Sequence, residues 1–329
     1  MSIYLPIAEL SVNIFLLLSL GGVVGFLSGM FGLGGGFLMT PILIFMGIPT
    51  NVAVATSANQ IVASSISGTI GYWRQGLVDF KMGGVLLIGS FFGSILGVWI
   101  FSKLVALGQI DTVISILYFT LLTSIGLIML IESSQVIRDR VRRKTVKRKI
   151  HYHNWAHKLP FKIKFYKSKL YISAIPPIII GFVIGILSAT MGIGGTFILI
   201  PAMIYFLGMP TSKVIGTSLF QIIFVTALVT LLHATTTFAV DAVLAFFLII
   251  SSVIGAQVGV LAANKLRGEE IRALLAIIVL GVATKIALDA FASVTSVSVI
   301  MPMSDKIIFG FTSSCLICVI AFFIASDEP

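Results

Sequence analysis

Nine runs of about twenty apolar residues leave this chain few folds to choose from. They lie near 11–31, 52–72, 82–101, 111–131, 172–190, 214–234, 242–263, 271–291 and 305–325, and a helix of about twenty such residues is what the hydrocarbon core of a bilayer demands. In lipid the backbone must satisfy its own hydrogen bonds, which leaves helices or closed barrels, and runs this long select helices. With 58% hydrophobic and only 10% charged residues, the chain lies outside the range of soluble globular domains. The expectation is an all-α polytopic integral membrane protein with about nine full spans. Two further apolar segments, 36–48 and 196–208, are too short for an upright span and must either cross obliquely or re-enter.

Charge sets the orientation. Of the 22 basic residues, 13 fall between Arg138 and Lys169, against the single acid Asp139. By the positive-inside rule this loop is cytoplasmic. Counting back places Arg74 and Lys81 inside, with Lys103 and the N-terminus outside; counting forward places Lys213, Lys265, Arg267 and Arg272 inside. The acidic C-terminal residues 326–329 then also fall inside, against the usual bias. The N-terminal segment lacks the basic start of a cleavable signal peptide, so the first apolar run is expected to stay. The basic stretch, interleaved with Tyr152, Trp155, Phe161, Phe165 and Tyr166, suits an interfacial segment touching anionic lipid. A solvated connector explains it without invoking nucleic acid. Cys315 and Cys318 form a CxxC inside the last apolar run, where packing is the ordinary role.

The chain repeats itself. GFLSGMFGLGGGFLMTPIL from Gly25 aligns with GILSATMGIGGTFILIPAM from Gly185, and FMGIPTNVAVATSANQI from Phe45 aligns with FLGMPTSKVIGTSLFQI from Phe206. A third block pairs Val78–Leu104 with Val240–Leu266, matching Asp79 with Asp241 and Lys103 with Lys265. Each repeat holds three long spans plus a glycine-hinged unit that returns the chain to its starting side. Three net crossings remain, so the second repeat starts from the opposite face: the inverted-repeat plan of many secondary transporters. The expected divisions are repeat 1 over 1–137, the basic loop over 138–170, repeat 2 over 171–291, and an additional helix over 292–329. Gly93 and Gly97 recur as Gly255 and Gly259, a GxxxG spacing that lets helices pack closely.

The glycine breaks are the first candidate site. Glycine costs about 1 kcal/mol relative to alanine inside a helix, so Gly34, Gly35 and Gly36, with Gly194 and Gly195, need compensation from packing or function. Non-helical backbone at membrane depth is tolerated when buried in protein or lining a cavity. The restarting helix presents converging N–H groups and the positive end of its dipole, an arrangement suited to an anion. Polar side chains follow in both halves: Thr56, Ser57, Asn59 and Gln60 in TSANQ, and Thr217, Ser218 and Gln221 in TSLFQ. Interhelical hydrogen bonding is their ordinary role, while recurrence after the same Pro-Thr pair favours a shared midplane cavity. Phe220 stands opposite Asn59 and Thr196 opposite Gly36, so the cavity is expected to be asymmetric.

Other chemistry lacks support. No buried carboxylate relay is visible; Lys285 and Asp289 form an i, i+4 pair near a helix end, and His233 is solitary. No G-x-S-x-G, H-E-x-x-H or Walker motif occurs, so neither a membrane hydrolase, a zinc enzyme nor an ATP-driven pump is indicated. No cofactor, metal site or catalytic residue is expected.

The paired blocks GLGGG…TP…G-PT…TS-NQ and GIGGT…IP…G-PT…TS--Q resemble the sulfite exporter TauE/SafE family of membrane permeases, over most of residues 11–291. The resemblance implies a transporter of small sulfur-containing anions such as sulfite, sulfoacetate and related organosulfonates. It points to Gly34, Gly35, Thr56, Ser57 and Gln60 with Gly194, Gly195, Thr217, Ser218 and Gln221. The expected function is secondary transport or facilitated movement of such an anion across the cytoplasmic membrane by alternating access. The coupling ion, proton or sodium, and the oligomeric state stay open. The alternative is a non-transporting scaffold that recruits a cytoplasmic partner through the basic loop.

Overall fold

A computed structural model describes residues 2–32, 34–141, 160–168, 170–263 and 279–286. Residues 142–159, the flanks of the run at 271–291, Asp289, the additional C-terminal helix and the CxxC all lie outside the described residues. The elements in order are β1 (Ser2–Leu5), β2 (Leu10–Asn13), α1 (Ile14–Phe31), α2 (Gly36–Phe45), α3 (Thr50–Arg74), α4 (Phe80–Ala106), α5 (Ile110–Val141), β3 (Lys162–Phe165), β4 (Leu170–Ser173), α6 (Ile175–Met191), α7 (Thr196–Tyr205), α8 (Thr211–Thr236) and α9 (Ala242–Ala263).

Among the described residues the fold is helical apart from two antiparallel hairpins, β1–β2 and β3–β4. Residues 162–173 form the second hairpin where the sequence suggests the tail of an interfacial basic loop. The reason is a short period-2 pattern: in Lys162-Ile163-Lys164-Phe165 the lysines stay exposed while Phe165 is buried. The hairpins occupy equivalent places in the two halves. Ser2 pairs with Asn13 in one and Lys162 with Ser173 in the other, so the repeat extends into both.

Among the described residues five helical stretches are long and apolar enough to cross a membrane: α1, α4, Ile110–Leu127 of α5, Ser212–Thr236 of α8, and α9. The expected span at 52–72 is α3, whose 25 residues carry nine Ser, Thr, Asn and Gln from Thr50 to Ser67 and fewer apolar ones than the other long helices. The run at 172–190 becomes β4 followed by the 17-residue α6. Helices α2 and α7 have ten residues each, a length of about 15 Å, roughly half a hydrocarbon core.

The chain divides into two units, the larger comprising 1–110 and 149–265. Small residues set its helix pairs. Gly21, Gly25 and Gly29 of α1 lie on Leu248, Ser252 and Ala256 of α9, while Gly255 and Gly259 return the contact onto Gly22 and Phe26. Likewise Gly89, Gly93 and Gly97 of α4 meet Ile178, Phe182 and Ile186 of α6. A methyl group at any of these glycines would press on facing backbone, so the GxxxG spacing serves close approach as expected.

In each pair numbering rises on both helices together, so α1 and α9 run parallel, as do α4 and α6. Contacts of Ser67 with Val253 and Gly71 with Val260 align α3 with α9. Contacts of Gly83 with Phe220 and Phe101 with His233 align α4 with α8. Helices α3 and α8 oppose one another: Gly68 faces Leu219, Gly216 faces Tyr72, and Ala58 packs with Val225 and Val229. Consequently α1, α3 and α9 begin at one end of this unit, beside β1–β2. Helices α4, α6 and α8 begin at the other, beside β3–β4. Lys81, Lys162, Lys164, Lys167 and Lys213 gather at that second end, where Lys81 Nζ donates to the Lys164 carbonyl at 3.0 Å.

The smaller unit takes in 111–148 and 266–329. Its α5 buries Ile114, Tyr118 and Leu122, and Gly126 admits Val279 and Leu280. Lys285 is buried, at 6% exposure.

Candidate functional site

The two glycine breaks meet inside the larger unit. Helix α1 stops at Gly32, where φ is +70°, and the Gly32 N–H donates to the Ser28 carbonyl at 2.8 Å. Gly34 and Gly35 follow at φ +72° and +80°, and α2 begins at Gly36. The second half does the same with Gly192, Gly194 and Gly195 at +66°, +74° and +74° before α7 begins at Thr196. A side chain in this left-handed region costs roughly 1–2 kcal/mol per residue; six such positions in two short turns explain why the sequence spends glycine here.

Each turn delivers the start of a short helix into the interior. The Leu38 and Met39 N–H groups donate to the Gly35 carbonyl, and those of Ile198 and Leu199 to the Gly195 carbonyl. The amides of Gly36 and Phe37, and of Thr196 and Phe197, are therefore the leading donors of α2 and α7. Phe37 and Phe197 stack with ring centroids 4.6 Å apart, bringing the helix starts together. Gly36, opposite Thr196 in the repeat, is packed too closely against Ile61 and the other half's break to carry a side chain. A methyl group at Gly36 would lie 2.5 Å from the Gly192 carbonyl oxygen, whereas one at Gly34 would lie 3.2 Å from Thr196 Oγ1. Two converging helix starts create positive potential without any cation.

The polar residues divide by what they hold. Ser57 Oγ lies 2.6 Å from Thr40 Oγ1, 3.0 Å from the Val54 carbonyl and 3.3 Å from the Gly192 carbonyl. Ser218 Oγ lies 2.8 Å from the Ile215 carbonyl and 3.4 Å from the Gly32 carbonyl. Each serine thus braces the glycine break of the other half. The threonines reach further out: the Asp241 N–H donates to Thr56 Oγ1 at 3.1 Å, and the Asp79 N–H donates to Thr217 Oγ1 at 3.0 Å. All four hydroxyls bond to protein groups in this state. Ser57 and Ser218 give their one proton to carbonyls, so donation to a ligand requires a change of partner, whereas Thr56 and Thr217 accept in these bonds.

The glutamines differ from each other. Gln221 Nε2 donates to Ser90 Oγ at 2.6 Å, and Ser90 in turn donates to the Gly181 carbonyl at 2.9 Å. Gln60 is fully buried, and neither its Nε2 nor its Oε1 has a hydrogen-bond partner among the described residues. Asn59, one residue earlier, is half-buried. The hydroxyls of Ser28 and Ser188, equivalent residues just before the two breaks, are likewise buried and unpartnered among the described residues. A buried polar group without a partner costs about 1–3 kcal/mol, so the Gln60 amide and these serines, with the Gln221 Oε1, are polar groups left uncommitted in the region. Ser28 and Ser188 are visible in the sequence as the aligned LS pairs of the repeat. Thr40 and Ser90 have no polar counterpart at once recognisable in the alignment except Ser252, and only the structure brings them in.

His233, the one histidine outside the basic loop, is fully buried; its Nε2 lies 3.0 Å from the Ala189 carbonyl and its ring meets Phe101 edge-on. Among the described residues no group of three or more His, Cys, Asp or Glu is placed to hold a metal ion.

Long apolar helices packed through glycine, two broken helix pairs and a buried neutral polar centre define a multi-pass helical membrane protein built around paired half-helices. Comparison with known proteins makes this specific. The chain belongs to the sulfite exporter TauE/SafE family, whose profile matches residues 17–286. It is 28% identical over 250 residues to the probable membrane transporter protein YjnA of Bacillus subtilis, covering 76% of this chain and 89% of that one. A probable membrane transporter protein of Xylella fastidiosa is 28% identical over 286 residues, covering 84% of this chain and 95% of that one. The sulfite exporter TauE/SafE family protein 1 of Arabidopsis thaliana is 31% identical over 84 residues, 26% of this chain and 19% of that one. No solved structure matches.

Proposed function

We propose that this protein is a secondary transporter, working by alternating access, that moves a small sulfur oxyanion or organosulfonate such as sulfite or sulfoacetate across the cell membrane. The observation that carries the reading is the meeting of the α2 and α7 starts, with Ile61 of α3 packed against Gly34 and Gly36 and the unpartnered Gln60 amide one residue earlier on that helix. Backbone N–H groups at two helix ends, with an amide NH₂ and the Ser28 and Ser188 hydroxyls, offer an anion several neutral donors in a dry setting, where such bonds are strongest. Neutral donors bind without a fixed ion pair, which suits a site that must release its cargo. Asn59, Ser57, Ser218, Thr56, Thr217 and Gln221 then position these donors and contribute directly when the breaks rearrange.

The opposed direction of α3 and α8 supports reading the halves as inverted repeats, so that rocking one against the other exposes the centre to alternate faces. The basic end beside β3–β4 is assigned to the cytoplasm and β1–β2 to the outer face. The basic loop then touches anionic lipid.

Flux of labelled sulfite, sulfoacetate and thiosulfate into proteoliposomes, with and without proton or sodium gradients, tests the reading. Saturable flux that is lost on replacing Gly35 or Gly195 with valine is expected. Absence of flux for every anion, with the protein correctly inserted, would favour the scaffold alternative.

A further inference from the structure

Asp79 and Asp241 each tie together three separate parts of the larger unit, and they do so reciprocally. Asp79 caps its own helix, its Oδ1 accepting from the Lys81 and Met82 N–H groups at 3.1 Å each. Its Oδ2 accepts from the Ser168 N–H at 3.0 Å and Ser168 Oγ at 2.5 Å, in the turn of the other half's hairpin β3–β4. Its N–H holds Thr217 on the other half's α8. Asp241 repeats the pattern: Oδ1 accepts from Val243 and Leu244 at the start of α9, Oδ2 accepts from Ile7 and Ala8 in the turn of β1–β2, and the N–H holds Thr56 on α3. Both carboxylates are buried, at 2% and 0% exposure.

Thr56 and Thr217 stand immediately before the serines that brace the glycine breaks. Each aspartate therefore links a hairpin at one end of the unit to the helix that lines its centre. The second hairpin is seated over a short helix as well: Phe165 and Ile172 belong to one cluster with Leu199 and Met203 of α7 and with Leu207 and Met209 just beyond it. Because α4 and α9 begin at opposite ends of the unit, the two aspartates act at opposite ends.

We propose that Asp79 and Asp241 are positioning residues that latch the hairpins β3–β4 and β1–β2 over opposite ends of the path, and that each latch opens separately during transport. The proposal rests on the alternating-access reading above. The latches differ in their donors. Asp79 Oδ2 accepts from the Ser168 N–H and hydroxyl, whereas Asp241 Oδ2 accepts from the Ile7 and Ala8 N–H groups, so the β3–β4 latch alone includes a side-chain donor.

Asparagine is the informative replacement. It keeps one oxygen for the helix cap, where Asn serves as well as Asp, but sets an NH₂ donor among the N–H donors around the carboxylate. Accessibility of a reporter thiol, Ser188→Cys with Cys315→Ser and Cys318→Ser, would be measured in sealed, oriented vesicles with a membrane-impermeant maleimide added to one side or the other. Asp79→Asn and the milder Ser168→Ala are expected to raise labelling from the β3–β4 side, and Asp241→Asn from the β1–β2 side. The expected rise is about tenfold or more for the aspartate variants, as loss of hydrogen bonds to a charged acceptor implies. Ser168→Ala leaves the cap and the backbone bond in place, so it reports on the latch even if an aspartate variant fails to fold.

Unchanged labelling in all three variants, or a rise from the same side in both aspartate variants, would overturn the proposal. Flux measured in parallel, in vesicles of the chain that keeps Ser188 and carries no reporter thiol, separates it from the functional reading. Side-specific labelling without flux of any tested anion leaves the latches standing and removes the transport assignment. Flux with labelling indifferent to these residues does the reverse.

Discussion

Replacing Gly195 with alanine tests whether the glycine breaks are demanded by geometry. Gly195 sits at φ +74°, and a methyl group there would overlap Ile184 Cγ2 and lie 3.1 Å from the Ile184 carbonyl oxygen. The left-handed backbone costs an L-residue about 1–2 kcal/mol, and forcing an extra methyl into filled space adds about 1–3 kcal/mol. The sum is about 2–5 kcal/mol. Gly76 provides the reference, since it has φ +70° but nothing within 4 Å of an added methyl, so only the backbone part applies. The difference between the two variants isolates packing at the break. Thermal unfolding of purified protein in nanodiscs, followed by tryptophan fluorescence, should rank wild type above Gly76→Ala and Gly76→Ala well above Gly195→Ala. Equal losses at the two positions would show that the break carries no packing constraint. A stable Gly195→Ala protein with full flux would sink the argument that this conformation aims α7 at the centre.

Gln60→Leu should leave thermal stability unchanged or raised, because it removes an amide buried without partners, while abolishing anion flux; a stable variant with normal flux would remove Gln60 from the site. Thr217→Val keeps the shape of the side chain but strips the Asp79 N–H of its acceptor, an expected cost of about 1–3 kcal/mol in unfolding free energy. Tyr72→Phe removes the hydroxyl that donates to the Gly29 carbonyl at 3.1 Å, with an expected loss of about 1 kcal/mol and little change in flux. Neutralising lysines and arginines across 138–170 should leave the KM for anion flux within about twofold, since the site uses neutral donors; a large rise in KM would move anion binding to the charged surface.

Much of the architecture was legible because membrane helices and close helix contacts have strong one-dimensional signatures. The repeat located both breaks, and GxxxG at Gly93 and Gly255 named the helix faces that meet. The sequence could not say which helices those faces meet. Pairing of α1 with α9, and of α4 with α6, exchanges partners between the halves, and no local pattern encodes a partner about ninety residues away, as Ile178 is from Gly89, or more than two hundred, as Ser252 is from Gly25. The hairpins were missed for a different reason: strands of four residues carry too few alternations to stand out beside long apolar runs. Asp79 and Asp241 were visible as a matched pair at helix starts, yet their grip on the opposite half's hairpin depends on tertiary approach.

The site divides in the same way. By itself the sequence determined that a buried backbone break occurs twice, because only glycine enters the left-handed region freely and lipid forbids an unprotected break. It also identified which neutral polar residues accompany the breaks. What each of them does was decided by the tertiary structure. Ser57 and Ser218 turn to carbonyls of the opposite break, Thr56 and Thr217 receive the aspartate amides, Gln221 finds Ser90, and Gln60 is left with no partner among the described residues. Composition and spacing fix a side chain's chemistry and its face on a helix, but a hydrogen bond forms only where two atoms arrive within about 3 Å, and that distance is set by the packing of whole helices.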